Sequence, residues 1–566
     1  MAVIAQAPAT TPRPELDAAV ERLRGGAPLF ARLGLPERIA LAESMRAGYA
    51  RIAARGVRAA CEAKRLEAGT ASEGEEWIAH PFITLLHLRL WIGALRSIER
   101  TGTTPIGRVR RTIDDRPLVN LFPSSLLDAT LFPRVHGEVH LQAGASADER
   151  ARFYRRPDHD GRVVLVLGGG NVNSIPPLDV ATKMLNEGKV CVLKMNPVNA
   201  YLGPLLEEAF ALAIRQKFLA IVYGSAEEGT YLAHHPGIDE VVITGSDRTH
   251  DLLVWGPPGP ERDARQVANR PLLNKPMTSE LGNISPVIVV PGPYSHRQLA
   301  WQAQNIGGGV TNNASFNCNA NKVLITARGW DGRRKLLDEL MRVFEHTPVR
   351  AAYYPGAQAR YRLLTAGRRD FRTIGAAKDA TLPWTLLSDL DSDDASERAF
   401  EMEPFCSILS ETALDSAGTV EFLDRALHFA NERLWGTLSA TIVIHPSTLR
   451  QAGVAEALER TIVQLRYGTV GVNIWGAYGF ALGTPWGGHP TSTATNIQSG
   501  HGFVHNVAML EGVEKTVVRH PLTVFPKPPH FPSHRTADRV GRRLVAREET
   551  GGGLKLLQVV AAAVRG

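Results

Sequence analysis

The chain has 566 residues, 44% of them hydrophobic, which is enough for two or three cores and excludes a disordered or low-complexity protein. Its net charge of +7 comes from scattered residues, mostly arginine. Clusters such as Arg108-Val109-Arg110-Arg111 and Arg542-Arg543 lack interleaved aromatics, so they read as solvated faces and exclude nucleic acid as a partner. Cys61, Cys191, Cys318 and Cys406 form no CxxC pair. No metal site is therefore expected, and such sparse cysteine suits a reducing, cytoplasmic location. Met1 to Pro14 lacks a charged segment ahead of a long apolar one, so no secretory leader is predicted. No window reads as a membrane span.

Glu15 to Arg100 has helical periodicity. A connection punctuated by Pro and Gly follows through Leu131-Phe-Pro-Arg, and Val135 to Gln142 alternates like a strand. The segments from Arg162 then read strand, helix (Ile175–Asn186), strand (Lys189–Lys194), helix (Leu205–Gln216), strand (Leu219–Tyr223) and strand (Val241–Thr244). Continuous aliphatic strands between helices predict a parallel sheet covered on both faces. A second series begins after Glu280, with strands at Pro286–Val290, Lys322–Thr326, Phe405–Leu409, Thr441–Ile444 and Gly468–Asn473, and a helix from about Gln298 leading to Cys318. Val513 to Val518 reads as an exposed late strand able to pair with Val135 to Gln142. From Pro526 the chain is too rich in proline for a helix or central strand and is expected to lie extended on the surface. Leu554 to Val564 is apolar but too short to cross a bilayer, and docking on its own protein is expected, with membrane contact as the second reading.

Two of the cysteines, Cys61 and Cys191, sit in helical or aliphatic surroundings and read as small buried hydrophobes. Cys318 instead lies in Asn312-Asn-Ala-Ser-Phe-Asn-Cys-Asn-Ala320, downstream of the carboxylate in Thr278-Ser-Glu280-Leu-Gly-Asn283. A thiol must lose its proton to attack a carbonyl, and a carboxylate can take that proton or activate water. Gly168-Gly-Gly-Asn lacks the spacing of a dinucleotide fingerprint.

These segments resemble the aldehyde dehydrogenase superfamily between Arg162 and Val518. Glu280-Leu-Gly and Asn313–Cys318 resemble its glutamate and cysteine motifs, Thr244-Gly245-Ser246 its nucleotide turn, and Glu403-Pro-Phe its Glu-x-Phe segment. Val472-Asn473 and Pro485-Trp-Gly-Gly488 resemble later motifs. The resemblance implies an α/β fold with two Rossmann-like domains and a small bridging β element, NAD or NADP as cofactor, an aldehyde substrate and a homodimer or homotetramer. It implies Cys318 as nucleophile, Glu280 as base for water, and Asn171 as the oxyanion amide, with Asn173 as competitor. It further implies Lys194 and Glu403 on the two riboses, with Gly245 and Ser246 at the pyrophosphate. The corresponding division is 1–134 N-terminal helical segment, 135–161 first part of the bridging element, 162–279 cofactor domain, 280–480 thiol domain, 481–525 active-site loop and bridging strand, and 526–566 tail.

Several positions depart from the pattern. Ser315-Phe316 replaces Gly-Gln ahead of the cysteine, so Phe316 is expected to narrow the approach to the thiol. His250 replaces a glycine at the start of the helix after Ser246, and Pro197 replaces the acid that favours NAD over NADP. Segments Trp77–Trp91 and Ile474–Phe480 are expected at the mouth of an apolar substrate pocket. Three functions follow: aldehyde oxidation to a free acid, an acylating reaction in which CoA takes the acyl group, and a cofactor-binding homologue without turnover.

Overall fold

The computed structural model describes residues 8–156, 159–378 and 380–566. Residues 1–7, part of the stretch read as lacking a leader, lie outside the described residues. Among the described residues, sixteen strands form two sheets. They are β1 (Val109–Arg111), β2 (Pro117–Phe122), β3 (His136–Leu141), β4 (Val163–Leu167), β5 (Val190–Lys194), β6 (Leu219–Val222), β7 (Glu240–Thr244) and β8 (Met277–Glu280). The second half supplies β9 (Ser285–Val289), β10 (Asn321–Ala327), β11 (Arg372–Ile374), β12 (Trp384–Leu390), β13 (Ile408–Leu414), β14 (Ser439–Val443), β15 (Thr469–Val472) and β16 (Val513–Arg519).

The smaller sheet runs β6-β5-β4-β7-β8 and is parallel throughout. Every residue of β4 and β5 is buried, as the unbroken aliphatic runs Val-Val-Leu-Val-Leu and Val-Cys-Val-Leu require. Helices α1 (Arg13–Ala31), α2 (Leu35–Lys64), α3 (Ala71–Trp77) and α4 (Ile83–Thr101) form the predicted N-terminal helical region. Phe30 and Tyr49, on α1 and α2, join one core with the sheet residues Val164 and Leu193.

The larger sheet has the order β1-β2-β3-β16-β15-β14-β9-β10-β13-β12-β11. From β16 to β12 its strands are parallel, and antiparallel strands flank that block on both sides. β3 and β16 pair as the alternating sequences suggested, with Thr516 opposite Val139. β16 is buried rather than exposed, because it also pairs with β15 and so lies inside the sheet. The connection before Leu131 carries the hairpin β1–β2, which the sequence reading left without strands: β1 is three exposed residues, too short to show a period.

The region after Pro526 is likewise not extended throughout. It folds into helices Ala537–Thr550 and Gly553–Val564, the first packed against α3 and α4. Arg542 pairs with Glu73, and Arg89 binds the buried Glu548 at 2.9 Å. One helical run among the described residues, Ala71–Thr101, is long and apolar enough to cross a membrane, contrary to the sequence reading. Its most apolar window is 72% buried, so that apolarity serves the core.

Candidate active site

Parallel register brings the predicted residues to one edge. Lys194 ends β5 opposite Leu167 of β4 and Val222 of β6, and Glu280 ends β8 opposite Thr244 of β7. Gly245 and Ser246 follow directly, and Gly168–Asn171 leaves β4 at the same edge. The strand order changes direction between β4 and β7, where a crevice opens at the carboxyl ends. Asn171, Lys194, Gly245, Ser246, Glu280, Cys318 and Glu403 all line the groove there.

Cys318 is delivered by helix His296–Thr311 and the turn that ends it. Asn313, Ala314 and Ser315 adopt φ of 51°, 54° and 69°. Each costs about 1–2 kcal/mol in a residue with a Cβ. The turn is held by cross-braces. The Asn313 amide nitrogen donates to Glu75 at 2.9 Å, and its side-chain oxygen accepts from Lys64 Nζ at 3.0 Å and Tyr353 at 2.9 Å. Beneath it, fully buried Lys322 donates to the Ser315 carbonyl at 2.9 Å. Phe316 packs with Tyr353, Tyr354 and Phe405 and lines neither cavity beside the thiol. It therefore anchors the loop and does not narrow the approach.

Glu280 is 3% exposed and lies beside the Cys318 thiol. Burial pushes its carboxyl up to about 8, aided by the charges of Asp179 and Glu403 and opposed by the thiol hydrogen bond and the Trp486 side chain. Glu280 Oε1 and Trp486 Nε1 nonetheless have no hydrogen bond of normal geometry. Burial, then Glu280, also pushes the Cys318 thiol well up, with Lys322 opposing. The resting pair is thus a protonated thiol against a weakly acidic carboxyl. Burial lowers Lys194 to about 8 against the pull of Glu228, and raises Glu403 to about 7 against Lys322.

On the other side of Cys318 lies a second cavity, mainly apolar. Ile78, Phe82 and Ile83 from the N-terminal helices meet Ile474, Trp475 and Phe480, as expected from the sequence. Leu131, Phe132 and Val135 add to that wall, and the C-terminal region closes it with Pro526, His530, Val540 and Val559. His530 is fixed by Asn305 at 3.1 Å and Tyr478 at 3.2 Å. Gly308 is required here, since a Cβ would lie 2.5 Å from the His530 carbonyl oxygen.

The polar groove keeps uncommitted polar groups that could hold a dinucleotide. Glu403 Oε1 is buried without a partner, and Lys194 Nζ makes no hydrogen bond among the described residues. A Cβ at Gly282 would fall 2.2 Å from the Glu403 carboxylate, so any larger residue there would displace that side chain. Ser246 caps helix Asp247–Trp255, accepting from the Thr249 amide at 3.2 Å. His250 is buried against Asp251 at 3.1 Å and does not line the groove. Asn171 donates to the Phe316 carbonyl at 2.9 Å, whereas Asn173 donates to Glu76 and Tyr201, each at 3.2 Å. Lys64, Glu75 and Lys322 escaped the sequence reading, because buried braces of this kind carry no local signal.

The sequence matches no protein-family profile and no curated protein sequence. Solved structures do match. The chain is 17% identical to the NADP-dependent glyceraldehyde-3-phosphate dehydrogenase of Bacillus halodurans, in complex with NADP, over 90% of this chain and 91% of that one, with a TM-score of 0.59. It is 21% identical to the gamma-glutamyl-gamma-aminobutyraldehyde dehydrogenase of Burkholderia cenocepacia (90% and 89% covered, TM-score 0.59). Against an NAD-dependent aldehyde dehydrogenase of Sinorhizobium meliloti the identity is 19% (90% and 87%, TM-score 0.57). The chain has the aldehyde dehydrogenase fold.

Proposed function

We propose that the protein is a divergent aldehyde dehydrogenase that oxidises an apolar aldehyde to the carboxylic acid. The observation that carries this reading is the position of Cys318 and Glu280, side by side where an apolar cavity meets a polar groove. The halves divide accordingly, with 162–279 assigned to cofactor binding and 280–480 to the thiol. Lys194 and Glu403 would hold the two riboses, with Gly245 and Ser246 beside the pyrophosphate. NAD or NADP, when bound, supplies the hydride acceptor. With no acid at Pro197 on the ribose side, NADP is not repelled there.

Glu280 takes the thiol proton as sulfur bonds to the aldehyde carbon, and the carbonyl electrons move to oxygen. The Cys318 backbone N–H and an asparagine amide steady that oxyanion. Asn171 fits better than Asn173, since one of its two N–H groups is uncommitted while both of those on Asn173 are used. Loss of hydride from the same carbon leaves a thioester on Cys318. Glu280 passes the thiol proton to solvent and then removes a proton from water, whose oxygen displaces the sulfur; the departing thiolate takes that proton back from Glu280.

The test is NADH or NADPH formation by wild type and Cys318→Ala across aldehydes of increasing chain length, with and without CoA. Turnover lost in the variant supports the thiol route, and dependence on CoA would assign the acylating reaction instead. Cofactor binding without turnover on any aldehyde, with or without CoA, would sink both.

A further inference from the structure

Helix Gly553–Val564 is apolar on almost every side, with Lys555 as its one charged residue. A helix of that kind ordinarily lies wholly inside a core. Here only one side does. Val559 and Ala562 are buried, and Val559 and Ala563 form part of the roof of the apolar cavity. On the outside, Leu554, Leu557, Val560 and Val564 share one face at helical spacing and are 71%, 66%, 36% and 46% exposed. Phe525 is 74% exposed between Val524 and Pro526, two residues of the same cavity wall.

Cations frame this face. Lys527, Arg535 and Arg565 line one hollow near the end of the helix, and Arg539 is exposed on the preceding helix, while Arg542 there is committed to Glu73. From Arg535 to Gly566 there are seven lysines and arginines against three carboxylates, one of which, Glu548, is buried against Arg89. An apolar stripe bordered by cations complements an anionic lipid surface, with acyl chains under the stripe and phosphates beside the cations. A second copy fits less well. One face of a 12-residue helix is well short of the roughly 800 Å² per partner of a stable interface, and its cationic border would meet itself.

We propose that the outer face of helix Gly553–Val564 docks on an anionic lipid bilayer. Since its inner face roofs the cavity that ends at Cys318, docking sets that cavity against the phase where apolar aldehydes concentrate. This last step rests on the proposed aldehyde oxidation; the docking does not.

The full chain is sedimented with phosphatidylcholine vesicles and with vesicles containing about 30% phosphatidylglycerol, at low salt and at about 0.5 M salt. Wild type is expected to pellet with the anionic vesicles and to be released by salt. Leu557→Glu/Val564→Glu, changed only at exposed positions, is expected to bind about tenfold more weakly or less. Arg535→Gln/Arg565→Gln is expected to lose about fivefold per cation. Cofactor binding monitors folding throughout. No vesicle binding, or equal binding by wild type and Leu557→Glu/Val564→Glu, overturns the proposal. A dimer abolished by that variant, with no vesicle binding, assigns the face to a second copy and overturns it too. Vesicle binding without turnover on any aldehyde counts against the proposed function and leaves the docking standing.

Discussion

The two flanks of Cys318 are built in opposite ways. The groove side comes from strand ends and the turns that follow them, and its chemistry is a few polar groups fixed by parallel register. The cavity side is assembled from chain segments far apart in sequence: α3 to α4, the loop after β15, and the C-terminal helices. In the proposed reaction the chemistry falls to the groove side, and the choice of substrate to the segments gathered around it.

The sharpest way to break this comparison is at the centre. Cys318→Ala is expected to reduce turnover by about 10⁴-fold or more while cofactor affinity, read by fluorescence, stays within about twofold. Glu280→Gln is expected to cost about 10²–10⁴-fold and, in rapid mixing, to show no burst, since acylation and hydrolysis both lose their base. Wild-type rate should climb with pH to a plateau above about 8, because the buried carboxyl must be ionised to act, and the variant should lack that limb. Stability should move the other way. The folded chain keeps a proton that the unfolded chain releases above about pH 4, so wild type should lose stability from there to about pH 8. Thermal melts of Glu280→Gln over that window should be flatter.

Each flank can then be disturbed alone. Lys194→Ala should weaken cofactor binding by about 10- to 100-fold with kcat little changed. Phe82→Ala should leave cofactor affinity intact and shift preference among aldehydes by about tenfold towards bulkier ones. If Phe82→Ala weakened the cofactor as much as Lys194→Ala does, the division between the flanks would be wrong.

The same division explains what the sequence made legible. Strand ends at Lys194 and Thr244 follow from short aliphatic runs, whereas the strand that ends at Glu280, Met-Thr-Ser-Glu, carries no aliphatic run to mark it as a strand; parallel register aligns it with them. The helix Gly553–Val564 hid behind the prolines of 526–532, and it packs on the helix just before it, Ala537–Thr550, which is itself seated on α3 far back in the chain. Lys64 and Lys322 look like solvated lysines in sequence, and only tertiary structure buries them under the cysteine loop. Phe316 misled for the same reason: its aromatic partners Tyr353, Tyr354 and Phe405 are distant in the chain.

The left-handed turn at Asn313–Ser315 has a consequence for biosynthesis. Its conformation is unfavourable on its own, and its supports come from residues 64 and 75, which leave the ribosome early, and from 322 and 353, which leave later. A chain interrupted before Tyr353 cannot complete that scaffold. Its thiol would lack the seat beside Glu280 that the proposed reaction needs, so aldehyde turnover would report that both ends of the scaffold have met.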